Sequence, residues 1–359
     1  MKDTKKILVI LSGSVAVVKS KKIIDLLKKD HEVKVVASDT VINNFKGIKD
    51  IELLKENPDL SSFPLHIELA KWADLILVAP ASANTISKFN AGIADNFILS
   101  ILLAARQSVI FVPAMNTFMY KALVERNIIS SLENLGHLFI GPAVGQLAEG
   151  ECGLGRMVEP IDISNKVNSY LNPKDKTILI PYGASKVHID NVRYITNHST
   201  GTTGRLLINA LKLEGYKVIG VDISKVSNKE FLEIAKDTNY DIYISPAAFA
   251  DYLVDKVDGK IKKNEVSSIT LKDNIDIIST LKELKPNKKY ISFKLDDDKQ
   301  RAIDKLSKFK LDLIIWNKIN SFGNTNITGS IISKDKQEDF KDITKNELIT
   351  KIVKSIKNI

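Results

Sequence analysis

The feature that most constrains the fold is a series of short apolar runs in which hydrophobic residues do not alternate with polar ones. The first half of the chain contains "KILVIL", "EVKVVAS", "ADLILVAPAS" and "SVIFVPAM", and helical patterns separate these runs. Strands rich in Val, Ile and Leu without alternation are buried on both faces, which is typical of a parallel sheet covered by helices. The pattern therefore predicts an α/β fold.

The same pattern restarts in the second half of the chain. The segment "SYLNPKDKTILIPYGAS" contains a Pro-Lys-Asp turn, a new apolar strand and a glycine loop, and further apolar strands such as "YDIYISPAA" and "LDLIIWN" follow it. A chain of 359 residues has room for about two domains. We predict two doubly wound parallel-sheet domains, at residues 1–168 and 176–359, with a short linker around 168–176.

Charge and composition exclude several classes of protein. The net charge is +9, but the lysines are scattered through segments such as "KKIIDLLKKD", which favours a lysine-rich surface over nucleic-acid binding. We find no run of about 18 apolar residues, so no membrane-spanning helix is expected. The start, "MKDTKKILVILSG", superficially suggests a signal peptide but lacks a small-residue cleavage site and is better interpreted as the first strand. The single cysteine, Cys152, excludes a disulfide within the chain, and a cytoplasmic location is expected.

Ligands of doubly wound sheets bind beyond the carboxyl ends of the strands, so the residues that follow each strand are candidates for a site. "LSGSVAVVK" offers backbone N–H groups and hydroxyls that can hold a phosphate, although a structural turn explains the same residues. "APASANTISKF" packs three short polar side chains that can hold a phosphate or a ring edge, or can cap a helix. The cofactor-site candidates from these turns and from "ASDT" are Gly13, Ser14, Ser38, Ser82, Asn84 and Thr85.

Two further features of the first domain are ambiguous on their own. The strand "SVIFVP" is followed by the turn "AMNTFMYK", in which a single asparagine lies between two methionines. A buried turn whose asparagine side chain is hydrogen-bonded to the backbone would explain this pattern. His66, in "FPLHIELAKWADL", stands alone before an amphipathic helix, and an isolated histidine of this kind is more often structural than catalytic.

Three ordered motifs make the first domain resemble the flavin-dependent cysteine decarboxylases. They are "HIELAKWADLILVAPASANTISKFNAGIADN", "PAMNTFMY", which matches the pattern PxMNxxMW except for Tyr120, and "GQLAEGECGLGRMVEP", which resembles the substrate-recognition clamp of that family. The resemblance covers most of residues 5–160. It implies a flavodoxin-like domain that binds FMN.

The resemblance also implies roles for the ambiguous residues. Met115 and Met119 would provide a polarizable apolar wall near the flavin, and Asn116 would orient the carboxylate of the substrate. His66 would be the residue of the oxidative decarboxylation.

The clamp departs from the family pattern at one position. The family has a cysteine between the alanine and the glycine of the clamp, where this chain has Glu149, and Cys152 lies three residues later. The family's cysteine is tied to the final reduction. Either Cys152 takes that role on a glycine-rich flap, or another acid supplies the proton, or the last step is compromised. The resemblance assigns Arg156 and Met157 of the clamp to substrate binding.

The second domain carries a glycine-rich turn before a helix, in "NHSTGTTGRLLINAL". Gly201 and Gly204, with Ser199 beside them, can form a nest of backbone N–H groups that suits a triphosphate. A simple glycine turn would not require Arg193 and Asn197 four residues apart just upstream.

This segment and four later ones resemble the phosphopantothenoylcysteine synthetase signature over roughly residues 176–330, which implies a Rossmann-like domain. The later segments are "SPAAFADY", "GKIKK", "ISFKLDDD" and "DKLSKFKLDLIIWN". The resemblance implies that Lys260 acts on the triphosphate and Asn197 on the acyl intermediate, although a lysine cluster on a loop is usually a solvated face. The other residues that it assigns to substrate or nucleotide binding are Arg193, Ser199, Gly201, Ala248, Asp251, Phe293 and Lys305.

Together the two resemblances imply a fused enzyme of coenzyme A biosynthesis. CTP with Mg²⁺ would activate 4'-phosphopantothenate for attack by cysteine, and the FMN-dependent first domain would decarboxylate the product. The families also imply a homo-oligomer, a dodecamer built from decarboxylase trimers and ligase dimers. We expect neither a nucleic acid nor a membrane as a partner.

Two alternatives stay open at this point. The first is an FMN-binding regulatory protein without turnover, which would not need His66 and Asn116. The second is a single-activity enzyme with one degenerate domain, which the departures from the two family patterns at Glu149, Thr202, Ile275 and Phe309 keep in view.

Overall fold

The computed structural model describes residues 4–45, 48, 50–54, 64–263, 268–319 and 326–359. The chain divides into two units, Met1–Asn172 and Pro173–Ile359. The division lies in the region predicted as a linker, and a helix at Pro160–Leu171 runs past the predicted end of the first domain.

The first unit is built on a five-stranded parallel sheet. Its strands are β1 (Lys6–Leu11), β2 (Glu32–Ala37), β3 (Leu75–Ala81), β4 (Val109–Pro113) and β5 (Leu138–Phe139). Its helices are α1 (Ser20–Leu27), α2 (Asp39–Asn44), α3 (Leu65–Trp72), α4 (Ala83–Asn90), α5 (Phe97–Ala104), α6 (Thr117–Glu125), α7 (Ile128–Asn134) and α8 (Pro160–Leu171). The strand order β2-β1-β3-β4-β5 is the flavodoxin order, so the predicted flavodoxin-like α/β topology is confirmed.

The core of this unit follows from the unalternated apolar runs. β3 and β4 are buried along their whole lengths, and Lys6 is the exposed residue of β1. Ile76 and Phe111 of the sheet pack in one core with Leu69 of α3 and Leu99 of α5. Both faces of the sheet are therefore covered, which leaves the carboxyl edge of the strands as the place for a ligand.

The predicted clamp forms an antiparallel hairpin outside the sheet. Its strands are β6 (Ala143–Gln146) and β7 (Cys152–Arg156). The backbone N–H of Met115, just after β4, donates to the carbonyl of Gly155 at 3.0 Å. This bond attaches the hairpin to the carboxyl edge of the sheet.

The second unit is built on a seven-stranded mixed sheet. The strands of the unit are β8 (Thr177–Tyr182), β9 (Lys186–His188), β10 (Tyr194–Thr196), β11 (Lys217–Asp222), β12 (Ile242–Ser245), β13 (Tyr252–Leu253), β14 (Lys272–Asp273), β15 (Lys289–Leu295), β16 (Leu313–Asn317), β17 (Asn326–Ile332) and β18 (Gln337–Thr344). The helices are α9 (Thr202–Leu213), α10 (Asn228–Asp237), α11 (Ile277–Leu284), α12 (Lys299–Lys308) and α13 (Lys345–Ile356). The sheet order is β11-β8-β12-β15-β16-β17-β18, and the predicted doubly wound α/β class is confirmed.

The edge of the second sheet differs from the all-parallel sheet that the apolar runs predict. The pairs β11–β8, β8–β12, β12–β15 and β15–β16 are parallel, whereas the pairs β16–β17 and β17–β18 are antiparallel. Residues 333–336 alone separate β17 from β18, and so short a connection cannot make the crossover that a parallel pair requires. Two small antiparallel pairs, β9–β10 and β13–β14, lie outside this sheet.

In the part of the chain that the structure describes, no helix combines the length and the apolar character needed to cross a lipid bilayer.

Candidate active sites of the two units

A cavity of about 270 Å³ in the first unit lies at the carboxyl edge of the sheet. Three segments enclose it: the turn after β1, the residues that follow β4, and the β6–β7 hairpin. Of the predicted site residues, the cavity is lined by Ser14, Met115, Asn116, Arg156 and Met157. The fold therefore brings together residues that lie up to about 140 positions apart in the sequence.

Two glycines let the hairpin lie flat on the start of α6. A Cβ atom on Gly153 would overlap the hydroxyl of Thr117, and one on Gly155 would overlap the carbonyl oxygen of Met115. Because side chains of a strand point to alternate faces, the Gly-x-Gly spacing clears one face of β7. The hairpin can thereby approach the backbone around Asn116 closely.

Asn116 uses both ends of its side-chain amide. Its Oδ1 accepts a hydrogen bond from the backbone N–H of Phe118 at 2.8 Å and so caps α6. Its Nδ2 donates to the carboxylate of Glu149 at the tip of the hairpin. The cap fixes the orientation of the amide, because only the oxygen can accept from a backbone N–H group. The N–H groups are consequently directed toward the hairpin.

Two cations and one carboxylate flank the same cavity. Nζ of Lys19 lies 3.0 Å and 3.2 Å from the two carboxylate oxygens of Glu159, and Arg156 also donates to Glu159. The hydrogen bond from Lys19, reinforced by the one from Arg156, lowers the pKa of Glu159. With two cations against Glu159, this part of the cavity has one positive charge left for a second carboxylate, and Glu149, which also lines the cavity, carries one.

The cofactor candidates occupy the ends of β1, β2 and β3. Ser82 caps α4 by accepting from the backbone N–H of Thr85 at 3.3 Å, and Asn84 is exposed in the first turn of that helix. A Cβ atom on Gly13 would lie 3.0 Å from Cγ2 of Thr40. The hydroxyl of Ser38 is buried, and no described residue is its hydrogen-bond partner. A buried hydroxyl without a partner is uncommon, so this atom suits a contact with a bound ligand.

Ser12, the residue before Gly13, has a structural role. Its hydroxyl donates to the carbonyl of Pro80 at 2.9 Å and accepts from the N–H of Ser82 at 2.7 Å. These bonds tie the end of β1 to the end of β3, where the strand order reverses. Ser12 thus fixes the ends of β1 and β3 relative to each other at the edge where a ligand is expected.

Three predicted residues of the first unit lie elsewhere. The described residues that line the cavity do not include His66, which is half-buried in the first turn of α3. Met119 is 49% exposed, so within this chain it does not form the apolar wall with Met115. Cys152 is exposed, and strand alternation puts its side chain on the face of β7 opposite to that of Gly153.

The glycine turns of the second unit face each other. Gly201, with φ at 72°, caps α9, and its Cα lies so close to the end of β8 that a Cβ atom would be 3.1 Å from the N atom of Gly183. The end of β8 is extended by a parallel bridge between Ala184 and Ala248. The predicted residues Gly201 and Ala248 therefore lie on either side of the residues that follow β8.

Asn197 and Ser199 lie between β10 and α9. Nδ2 of Asn197 donates to the carbonyl of Phe249 at 3.0 Å, and Oγ of Ser199 accepts from the N–H of Gly201 at 3.4 Å. Asn197 is thereby tied to the segment after β12 that carries Ala248. Its action on the acyl intermediate stays a prediction.

A buried carboxylate holds the loop that carries Lys260. Asp190 is 0% exposed and accepts from the N–H groups of Val192 at 2.8 Å, Arg193 at 2.7 Å and Ile261 at 3.2 Å. The guanidinium of Arg193 donates to Asp190 and, at 2.7 Å, to the carbonyl of Ile261. The hydrogen bond from Arg193 is the main reason that the pKa of Asp190 is lowered. Lys260 itself is exposed beside this tie.

The resemblance assigns Arg193 to ligand binding, and in the structure its guanidinium donates to Asp190 and to the carbonyl of Ile261, the residue after Lys260. Its contact with a ligand stays a prediction. Asp190 was missed as a site residue, although "IDNVR" places it three positions before the arginine.

Lys305, in α12, lies near the carboxylates of Asp251 and Asp276. Burial lowers the pKa of Lys305, while the carboxylates of Asp276 and Asp251 act in the opposite direction. Phe293, in β15, is half-buried and packs against the core. Asp222, at the end of β11, lies beside the glycine turn that follows β8. A Cβ atom on Gly183 would lie 3.3 Å from its Oδ1.

Among the described residues, no group of three or more His, Cys, Asp or Glu side chains is arranged to hold a metal ion.

Two family models match the chain. Residues 1–172 match the model described as Flavoprotein, and residues 173–359 match the model described as DNA/pantothenate metabolism flavoprotein C-terminal domain. The coenzyme A biosynthesis bifunctional protein CoaBC of Borreliella burgdorferi is 32% identical over 390 aligned positions, which cover 99% of this chain and 99% of that protein. The chain belongs to the coenzyme A biosynthesis bifunctional family.

Other members of the family agree with this assignment. The protein of the same description from Bacillus subtilis is 31% identical over 398 positions, which cover 99% of this chain and 97% of the relative. The one from Vibrio vulnificus is 35% identical over 283 residues, which cover 72% of this chain and 71% of the relative. The predicted function, a decarboxylase and a ligase of coenzyme A biosynthesis in one chain, is confirmed at the level of the family.

Two solved structures are similar to parts of the chain. A PPC decarboxylase mutant complexed with pantothenoylaminoethenethiol is 30% identical with a TM-score of 0.43, covering 46% of this chain and 97% of that one. The DNA/pantothenate metabolism flavoprotein from Streptococcus pneumoniae is 25% identical with a TM-score of 0.44, covering 52% of this chain and 99% of that one.

Proposed function

We propose that the second unit joins 4'-phosphopantothenate to cysteine with CTP, and that the first unit decarboxylates the resulting phosphopantothenoylcysteine with FMN. The observation that carries this proposal is the Asn116 amide, whose N–H groups are directed into a cavity flanked by Lys19 and Arg156. An oriented amide in a cavity that is also lined by two cations suits a substrate that carries a carboxylate.

The residues at the carboxyl edge of the first sheet fit FMN. The switch between β1 and β3 is where flavodoxin-like sheets bind that cofactor, and the buried hydroxyl of Ser38 lies at the end of the neighbouring β2. Gly13, Ser14, Ser82, Asn84, Thr85 and Met115 follow the same group of strands and are proposed to contact it.

The chemistry of the first unit needs an electron sink, since a carbanion left by CO₂ would otherwise be unstabilised. When bound, FMN would supply a two-electron acceptor for oxidation of the thiol-bearing carbon to a thioaldehyde, which is such a sink, and would return the two electrons to the ene-thiol left after CO₂ departs. Asn116 holds the departing carboxylate, and Arg156 and Lys19 provide positive charge beside it. The hairpin forms one side of the cavity. On the family resemblance we assign the oxidative step to His66, which is not among the described residues that line this cavity.

The chemistry of the second unit depends on neutralising phosphate charge. The start of α9 at Gly201 offers backbone N–H groups, and Lys260 adds a cation as pyrophosphate leaves. Asn197 is proposed to position the acyl-nucleotide for attack by the amine of cysteine. Mg²⁺ would enter with CTP, since this ion is commonly held through substrate phosphates.

We also propose a homo-oligomer and a cytoplasmic location. Exposed apolar side chains on the first unit support the oligomer, among them Phe118 at 69%, Val18 at 66% and Val144 at 70% exposure. The single cysteine supports a reducing compartment. Mass photometry of the purified chain would report its assembly directly, and a monomer would contradict the proposal.

The test of the proposed function follows both steps in one reaction. The purified chain should be yellow, and with 4'-phosphopantothenate, cysteine, CTP and Mg²⁺ it should release pyrophosphate and then CO₂. Asn116→Ala should release pyrophosphate at the natural rate while phosphopantothenoylcysteine accumulates in the mass spectrum. A colourless protein that takes up no FMN would contradict the decarboxylase assignment. Pyrophosphate release without a cysteine adduct would contradict the ligase assignment.

A further inference from the structure

Glu149 is the hairpin residue that reaches the proposed substrate-binding amide. The tip of the hairpin is a tight turn, in which the N–H of Gly150 donates to the carbonyl of Leu147 at 3.0 Å and the N–H of Leu147 donates to the carbonyl of Glu151 at 2.8 Å. From this turn the carboxylate of Glu149 accepts a hydrogen bond from Nδ2 of Asn116. A side chain of the hairpin thereby joins its tip to the corner after β4.

The group that Asn116 binds here is chemically the same as the group it is proposed to bind on the substrate. Because Oδ1 is committed to the cap of α6, the N–H groups of Nδ2 are the part of the amide that faces an anion. The Glu149 carboxylate and a substrate carboxylate would require the same donors. Two carboxylates within hydrogen-bonding distance of one amide repel each other, so their binding is competitive.

The charges around the cavity also favour competition between Glu149 and a carboxylate of the substrate. Lys19 and Arg156 share one carboxylate, that of Glu159, which leaves one positive charge to be balanced on this side of the cavity. Glu149, which also lines the cavity, supplies a second carboxylate. The site is therefore charge-balanced with Glu149 in place and would become overcrowded with negative charge if a carboxylate entered beside it.

We propose that Glu149 is a specificity-determining residue of the decarboxylase site, whose carboxylate occupies the position of the substrate carboxylate until the substrate displaces it. The inference rests on the proposed role of Asn116. A ligand with a carboxylate must exchange with Glu149 and move the tip of the hairpin. A ligand without one leaves the bond between Glu149 and Asn116 in place.

The test compares two ligands that differ only in the carboxylate. The probes are 4'-phosphopantothenoylalanine, which has no thiol to be oxidised, and its decarboxylated counterpart, the N-ethyl amide of 4'-phosphopantothenate. Calorimetric titration of the full FMN-loaded chain gives the dissociation constant of each probe. The variants are Glu149→Gln, Glu149→Ala and the matched control Glu151→Gln, an exposed carboxylate two positions along the same tip.

We expect Glu149→Gln and Glu149→Ala to bind the alanine probe about tenfold more tightly than the natural chain, because a neutral or absent competitor gives up the amide more easily than a charged one. The N-ethyl amide should change by less than about twofold in either variant. Glu151→Gln should leave both constants unchanged, since it alters the charge of the tip without touching Asn116.

Two results would separate the possible failures. If Asn116→Ala weakens binding of the alanine probe but the Glu149 variants bind it as the natural chain does, the competition is absent and this inference is wrong. If Asn116→Ala has no effect on the alanine probe, the proposed role of Asn116 is itself wrong. Equal tightening of both probes in Glu149→Gln would also contradict the inference, since the effect would not depend on the ligand's carboxylate.

Discussion

Each unit carries a loop with predicted site residues, and the two loops are held in different ways. The β6–β7 hairpin rests on the start of α6 by backbone contact at Gly153 and Gly155, and a single exposed side-chain bond joins its tip to Asn116. The loop that carries Lys260 is tied to the fully buried Asp190 by a backbone bond and through the guanidinium of Arg193.

This difference indicates how each loop is used. A hydrogen bond at the surface is exchanged easily with a ligand, whereas a buried carboxylate that loses a charged partner destabilises the fold strongly. The hairpin can therefore respond to a substrate. The lysine loop is preorganised, which suits a cation that must be in place as charge develops on a phosphate.

The largest effect should come from His66→Asn. If the sites of the two units work independently, the variant should lose about two to four decades in the rate of CO₂ release while pyrophosphate release is unchanged. Both rates can be followed in one assay with phosphopantothenate, cysteine and CTP. Equal loss of CO₂ release and pyrophosphate release would show that the two sites do not work independently.

Lys260→Gln and Asn197→Asp should each slow ligation by about two to three decades, but in different half-reactions. Without cysteine, the Lys260 variant should form little acyl-nucleotide, whereas the Asn197 variant should form it and then, with cysteine added, consume it slowly. Mass spectrometry of the quenched reaction distinguishes the cases and identifies the nucleotide. A normal yield of acyl-nucleotide in the Lys260 variant would show that Lys260 has no role in the reaction and that its loop is a solvated surface.

Asp190→Asn tests whether the lysine loop is held by a charge. We expect the melting temperature of the second unit to fall by about 5–10 °C and acyl-nucleotide formation to slow as it does in Lys260→Gln. Asp190→Glu should not restore the rate, because a longer side chain cannot keep three backbone N–H groups in register. If calorimetry shows that the second unit of Asp190→Asn unfolds at the natural temperature, the Lys260 loop is not held by the charge of Asp190.

The same residue predicts a pH dependence with a definite sign. The pKa of Asp190 is lowered in the folded chain, so its stabilising contribution is present above the ordinary value of about 4 and is lost as the pH falls from there toward the folded pKa. The second unit should therefore become less stable on acidification below about pH 4, and Asp190→Asn should flatten this part of the profile. A profile that is identical in both proteins would contradict the assignment.

The smallest effect should come from Gly153→Ala. The added methyl group would overlap the Thr117 hydroxyl, lift the hairpin and weaken substrate binding about tenfold, with little change in melting temperature. Thr117→Ala in the same chain should restore most of the affinity, because the nearest remaining Thr117 atom would be Cβ at 3.3 Å. If the double variant binds no better than the single one, the hairpin does not rest on this contact.

Local chemistry explains what could be predicted from the sequence. Unalternated runs such as those of β3 and β4 predict buried parallel strands, and the site residues follow those strands, as Asn116 and Ser82 do. The antiparallel edge of the second sheet depends on the short connection between β17 and β18, which apolar content does not reveal.

The contacts that distinguish the two loops could not be predicted in the same way. The bond between Asp190 and Ile261 spans 71 positions, and the one between Asn116 and Glu149 spans 33. Neither partner carries a local signal of the other, because both bonds form only after the strands have assembled. The sequence marks Glu149 as a departure from a pattern, but only the fold shows which atom it meets.

The position of Cys152 makes the hairpin accessible to chemical labelling in the natural chain. It is the one cysteine among 359 residues, it is exposed at the start of β7, and it lies three positions from Glu149. A maleimide dye or a nitroxide would attach at that single place without any thiol having to be engineered away. The β6–β7 hairpin thus carries its own attachment point for a probe, so any movement of the hairpin on ligand binding can be followed by fluorescence or by electron spin resonance.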